Sequence, residues 1–316
     1  MTAPRMPPRL PAFAPFQWLM VAVQLIARRP GGLLLAAFAL VCGFGALLLL
    51  ASTLVGLGMR GGASTAPAPV PADFGVVLLP LAMLALAIPQ WICGGLSILM
   101  HALSQGREVG LSVALAGMRR HWAALTTLVL LPVALMAASL ALYRVFGGPD
   151  FFAQNMAAMT QAMQSGQAPV LPEPSHPALL NLSLMAVNWL FSVLLLLTPV
   201  HVTVGGHGAI TAVLAVLHTL SRQLPAMLVG GAVGFALTMA AAMLSLVVLT
   251  VVAVLNAALP ALALPLSLVM LAVLGACWSV GWSAVAYVAW RALLGGQGPA
   301  PTAAGGEAKA QGRIEV

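Results

Sequence analysis

The chain has 316 residues, of which 61% are hydrophobic and only 6% charged, with a net charge of +7. An ordinary soluble domain carries about a quarter charged residues, so this composition excludes a water-soluble globular fold and makes lipid the expected solvent. The basic surplus would suit nucleic acid, but the arginines stand singly or in pairs at the ends of apolar runs and form no basic stripe, so they read as topology signals and headgroup anchors.

In chain order, residues 1–15 read as a disordered N-terminus. Phe16, Leu19, Met20, Val23 and Ile26 then recur at helical spacing, with Gln17, Gln24 and Arg28 elsewhere on the wheel. The polar face is thin, so this helix is expected half-sunk at the membrane surface or packed on the bundle. After Arg28-Arg29-Pro30 the first span is expected at residues 31–57, a run too long for the apolar core of a cleavable signal. A Gly/Ala/Pro-rich loop, 59–73, leads to the second span at 74–100. The third is expected at 123–146, after a surface helix that ends in Arg119-Arg120-His121-Trp122. Residues 147–177 form the largest loop. Its first half, Phe151 to Met163, has the pattern of a short helix, and Pro169, Pro172, Pro174 and Pro177 keep the second half extended.

The fourth span is expected at 178–200. Ile210, Val213, Leu214, Leu217 and Leu220 repeat the surface-helix pattern before Arg222. From Gln223 to Trp290 no charged residue occurs. As one helix that run would be about 100 Å long, against a hydrocarbon core of about 30 Å. It must fold back, and the helix breakers at Asn256 to Pro260 and Pro265 divide it into spans at 225–255 and 262–290. The tail from 296 to 316 is Gly/Ala/Pro-rich and reads as disordered.

The fold class is therefore all-α: a polytopic membrane protein of six transmembrane helices in three hairpins, with interfacial helices on the cytoplasmic side. Of the 13 basic residues, 11 fall on the side that holds both termini and only Arg60 and Arg144 on the other. The positive-inside rule then places both termini in the cytoplasm. Each hairpin follows an apolar segment that ends in basic residues, at Arg28-Arg29, Arg119-Arg120 and Arg222, so the three read as parallel repeats.

Few side chains carry chemistry. No Asp, Glu, Lys or Arg falls in the middle of a span, which weighs against a proton-coupled pump. Asn188, near the centre of the fourth span, is expected either to clasp a neighbouring helix or to contact a substrate. Trp18, Arg28, Arg29, Arg119, Arg120, Trp122, Arg222, Trp290 and Arg291 stand where interfacial anchors belong. Met156, Met159 and Met163 share one helical face, as Cu(I)-selecting thioethers could; the competing reading is the apolar face of an interfacial helix. His201, His207 and His218 lack the further ligands a metal site needs and read as headgroup contacts. Cys42, Cys93 and Cys277 lie in apolar runs without a disulfide pattern. Gly230 and Gly234 form a pair for close helix approach. No catalytic motif is present, so no enzymatic activity and no cofactor are expected.

Trp18 with Arg28-Arg29-Pro30, the Pro89 to Gly95 end of the second span, Gly106-Arg107, and Arg119-Arg120 together resemble a proteobacterial family of uncharacterised six-span inner-membrane proteins. The layout is similar to the membrane domain of some glycerophosphodiester phosphodiesterases and covers roughly Phe16 to Gly295. The resemblance implies an inner-membrane location and no assigned activity. The expected role is a non-catalytic scaffold or accessory whose partners are membrane lipids and other membrane proteins. The alternative is a small carrier or flippase for an apolar or lipid-like substrate.

Overall fold

The computed structural model describes residues 10–60, 74–165, 168, 171–258 and 263–295. The expectations for most of residues 1–15, for the 59–73 loop beyond Arg60, for the fifth-to-sixth-span turn and for the 296–316 tail lie outside the described residues. Every regular element among the described residues is helical. In order these are α1 (Ala14–Arg28), α2 (Pro30–Arg60), α3 (Phe74–Ser104), α4 (Leu111–Thr127), α5 (Leu130–Leu142), a π turn (Tyr143–Gly147), α6 (Phe151–Ser165), α7 (Pro177–Thr203), α8 (Ala209–Arg222), α9 (Leu224–Ala258) and α10 (Ala263–Leu293). Six stretches of these helices are long and apolar enough to cross a membrane. The chain is an all-α, multi-pass membrane protein.

Proline sets several helix starts. Pro30 and Pro177 open α2 and α7, and Pro15 and Pro225 occupy the second positions of α1 and α9. A missing N–H costs nothing there, because the first turn has no carbonyl to receive it. The opposite effect breaks the third span. Pro132 cannot donate to Leu128 and its ring crowds that carbonyl, so the helix from Leu111 tightens at Leu128 and Val129 before resuming as α5.

The third span corrects the expected boundary at residue 123. α4 does not end in a flat surface helix but runs antiparallel to α3. Ile98 presses on Gly117, a Cβ on Gly95 would lie 2.6 Å from Met118 Sδ, and Trp91 Nε1 donates to Thr126 Oγ1 at 3.3 Å. Arg119 and Arg120 are thereby carried level with Gly95, about 14 Å along α3 from Ser104 at 1.5 Å per residue. Both remain exposed, as long basic side chains do when they snorkel out of an apolar flank.

The three hairpins are α2–α3, α5–α7 and α9–α10. Their second helices, α3, α7 and α10, pack on one another at the centre. The helix that leads into each hairpin docks on a second helix: α4 on α3, α8 on α7, and α1 on α10, which closes the ring between the first and last hairpins. The backbone N–H of Leu10 adds to that closure by donating to Gln223 Oε1 at 3.1 Å. α1 itself begins at Ala14, two residues before the expected start at residue 16. The largest core cluster gathers where the C-terminal ends of α3, α7 and α10 meet α1, α2 and α8; it includes Leu33, Leu99, Met100, Val200, Val216, Trp290 and Leu294. Arg28, Arg29, Arg107, Arg222 and Arg291 surround this end, called here the basic end. Three parallel helix C-termini converge there, and their partial negative charges favour nearby cations.

α1 and α8 both pack on the bundle, and their expected apolar faces are split between protein and exposure: Ile26, Val213, Leu217 and Leu220 pack on or in the core. In α1 the inward residues are Ala14, Trp18, Ala22 and Leu25, whereas Phe16, Met20 and Val23 are exposed. In α8, Ala212, Val216, Thr219 and Leu220 are buried, whereas Ile210 and Leu214 are exposed. Where lipid is the solvent no hydrophobic force drives large apolar side chains inward, and small residues face inward because they let backbones approach.

Candidate functional site

The polar side chains that the fold brings together lie at the basic end, where α10 meets α3 and α7. From α3, His101 Nδ1 and Ser104 Oγ lie 3.1 and 2.7 Å from the Tyr287 hydroxyl. Gln105 Nε2 reaches His101 Nε2 at 2.9 Å and brings the chain of contacts to the exposed surface. From α7, His201 Nδ1 accepts from Trp290 Nε1 at 2.8 Å in a buried bond. The acceptor role of Nδ1 assigns the neutral imidazole proton to Nε2. His207 stacks on His201 with ring centroids 4.4 Å apart, and its Nε2 is enclosed with no hydrogen-bond partner among the described residues.

Tyr287 and Trp290 are three residues apart on one face of α10 and their rings stack at 6.1 Å. Each ties down a different helix. The indole N–H only donates, so no proton can be relayed from one clasp to the other through it. The arrangement works as two latches on one helix, a Tyr–His–Ser latch to α3 and a Trp–His latch to α7.

Both latched helices end alike. His101 precedes Gly106 by five residues and His201 precedes Gly206 by five, and both glycines have φ +72°. At the first end Gly106 N–H bonds Leu103 O at 3.0 Å and Arg107 N–H bonds Ala102 O at 2.9 Å, the Schellman pattern that turns a chain sharply off a helix. Only glycine takes this left-handed conformation without strain. The signal was present in the sequence as His-x4-Gly, repeated at an interval of 100 residues, but neither histidine reads as a buried acceptor without its α10 partner.

Two further buried polar side chains lie deeper along the same spans. Gln90 on α3 and Thr198 on α7 are buried, and Gln90 Oε1 and Thr198 Oγ1 have no hydrogen-bond partner among the described residues. Ser97 Oγ is satisfied by Cys93 O at 2.7 Å. A Cβ on Gly94 would lie 3.0 Å from Thr203 Cγ2. Four residues back along α3 and five back along α7 therefore place Gln90 and Thr198 at about the same depth in two adjacent parallel helices, within about 2 Å of rise.

The expected site residues separate. Asn188 is exposed and donates to Leu184 O of its own helix at 2.8 Å. An amide four residues past a carbonyl can make such a bond within its own helix. Trp18 and Trp290 are buried rather than at a headgroup surface. Trp18 packs near Gly230 and Trp290 is the donor described above. Arg28, Arg29, Arg119, Arg120, Trp122, Arg222 and Arg291 are exposed. His201 is a buried acceptor, not a headgroup contact, and His218 is exposed on α8.

Gly230, Gly231 and Gly234 receive Pro15, Trp189 and Trp282 from α1, α7 and α10, so this patch packs within the chain. Met156 and Met159 are about half exposed on α6; the side chain of Met163 lies outside the described residues. Near them, Asp150, Gln154, Glu173 and Ser175 line a cavity of about 240 Å³ at the foot of α6.

No family model, curated protein or solved structure significantly matches the chain.

Proposed function

We propose that the protein is a non-catalytic scaffold or accessory of a bacterial inner membrane, with both termini in the cytoplasm, that works through contacts with lipids and other membrane proteins. The observation that carries this reading is the pair of latches on α10. Tyr287 ties α10 to α3 and Trp290 ties α10 to α7, so the three central helices resist parting at the basic end. The inner-membrane location rests on the resemblance of the sequence to a proteobacterial six-span family. The 11-to-2 split of basic residues supports the orientation.

A reporter fused after Val316 tests that orientation. Cytoplasmic activity is expected, and alkaline phosphatase activity from that fusion contradicts it. Reconstitution tests the role. Proteoliposomes carrying a fluorescent phospholipid in both leaflets should lose outer-leaflet fluorescence to a membrane-impermeant reductant at the rate and extent of protein-free vesicles.

A carrier or flippase for an apolar or lipid-like substrate is the second reading. Gln90 and Thr198 favour it, because buried polar groups without partners call for a water or a ligand. Loss of the inner-leaflet signal, abolished by Gln90→Leu with Thr198→Val, would establish that reading in place of the first.

A further inference from the structure

Helix α6 has three kinds of side, and they fall in separate sectors. At about 100° per residue, Phe151, Asn155, Ala158 and Ala162 share one sector of about 60°, and all four are half-buried against the protein. Phe152, Met156 and Met159 share a second sector of about 60°, and all three are exposed. Gln154, Ala157, Thr160 and Gln161 occupy the remainder and are exposed. A helix submerged in water has no use for the second sector, and a helix crossing the membrane has none for the third.

The helix is also held at a fixed level. Phe151 and Phe152 pack on Tyr143 of the π turn, with ring centroids 6.0 and 6.3 Å away. The far end of the same loop is pinned by Ser175 N–H to Gly147 O at 3.1 Å and His176 N–H to Phe146 O at 2.8 Å. Both ends of the 147–177 segment are thus tied where α5 finishes and α7 starts, which is the end of two membrane spans. The exposed side of α5 leads there as an apolar strip, through Leu130, Val133, Met136, Leu140 and Val145. Phe152, Met156 and Met159 are likewise apolar and exposed. No charged residue occurs from 151 to 172.

We infer that α6 lies along the membrane surface opposite the basic end, with Phe152, Met156 and Met159 in the lipid and Gln161 and Thr160 in water. The occupant of the exposed stripe is lipid because the stripe is apolar, the segment from 151 to 172 carries no charge, and both ends of the loop are tied to the ends of two membrane spans. α6 then acts as a float that sets how deep the α5–α7 hairpin sits, with its apolar side about 5–10 Å into the headgroup and acyl boundary. The inference rests on the six-span fold and is independent of the choice between scaffold and carrier.

Nitroxide labels on single-cysteine variants of the full chain, with Cys42, Cys93 and Cys277 replaced by alanine, test this in liposomes. Labels at Met156→Cys and Met159→Cys should collide preferentially with oxygen, and labels at Thr160→Cys and Gln161→Cys with a water-soluble nickel chelate. The two sets should alternate along the helix. Equal access of all four labels to the nickel chelate would overturn the inference by placing α6 in water. Shielding of the Met156 and Met159 labels from both reagents would overturn it in favour of a protein partner or a second copy. A methionine label that prevents folding is replaced by one at Phe152→Cys, which reads the same sector.

Discussion

At the basic end α3 buries Leu96, Leu99, Met100 and Leu103, and α10 buries Ala284, Ala286, Tyr287, Ala289, Trp290 and Leu293. Toward the opposite end α5 buries no residue, and past Met227 α9 buries only Val252 among its described side chains. Hydrophobicity does not account for the difference, since both ends are made of leucine, valine and alanine. Lipid solvates exposed Leu244, Leu246 and Val247 as well as a protein core would. What distinguishes the packed end is shape and hydrogen bonding: glycines that admit neighbouring side chains, and aromatic residues that reach buried histidines.

That contrast can be broken by substitution. The largest effect is expected at Leu99→Ala, which leaves a cavity in the packed end and should cost about 2–5 kcal/mol; the lipid-facing Leu246→Ala should move stability by less than about 0.5 kcal/mol. Denaturation of the two variants in the same bilayer mimetic reads the difference directly, and equal losses would erase the distinction between the ends. Next in size is Trp290→Phe, which keeps the packing but leaves His201 Nδ1 buried and unpaired, at an expected cost of about 1–3 kcal/mol.

Tyr287→Phe should cost less, about 0.5–1.5 kcal/mol, because His101 and Ser104 keep other partners. A double-mutant cycle of Tyr287→Phe with Trp290→Phe measures the coupling between the latches, and additivity within about 0.5 kcal/mol is expected if they act on α3 and α7 independently. Smallest of all is Asn188→Leu, expected to change stability by less than about 0.5 kcal/mol because the amide bonds only its own helix in this structure. A loss of folded protein on that substitution would restore Asn188 as a clasp.

The hairpins were legible in the sequence because lipid imposes a requirement no other solvent does: about 20 apolar residues per crossing, ended by basic residues or helix breakers. The short helix from Phe151 onward was legible for the same kind of reason, since its periodicity survives the surrounding prolines. The helix faces were not. The wheel of α1 leaves open whether Phe16, Met20 and Val23 face lipid or the bundle; in the structure they are exposed, and Ala14 and Ala22 let α1 approach α9 and α10. The start of the third span was misplaced because Arg119-Arg120 read as a boundary, whereas Gly117 against Ile98 keeps α4 packed along α3 beyond it. The latches were illegible because each joins residues 89 to 186 positions apart. A histidine near a span end looks like a headgroup contact until the tyrosine or tryptophan opposite it is known.

The central division in the molecule is between a packed basic end and a lipid-solvated remainder. It is tested most directly by a membrane-dissolved diazirine photolabelled into the protein in lipid nanodiscs and mapped by mass spectrometry. Labels are predicted on the exposed side chains of α5 and α9, such as Met136, Leu140, Met243 and Val247, and not on Leu99, Met100, Tyr287, Trp290 or Leu294. Labelling of the second group at levels comparable to the first would contradict the account.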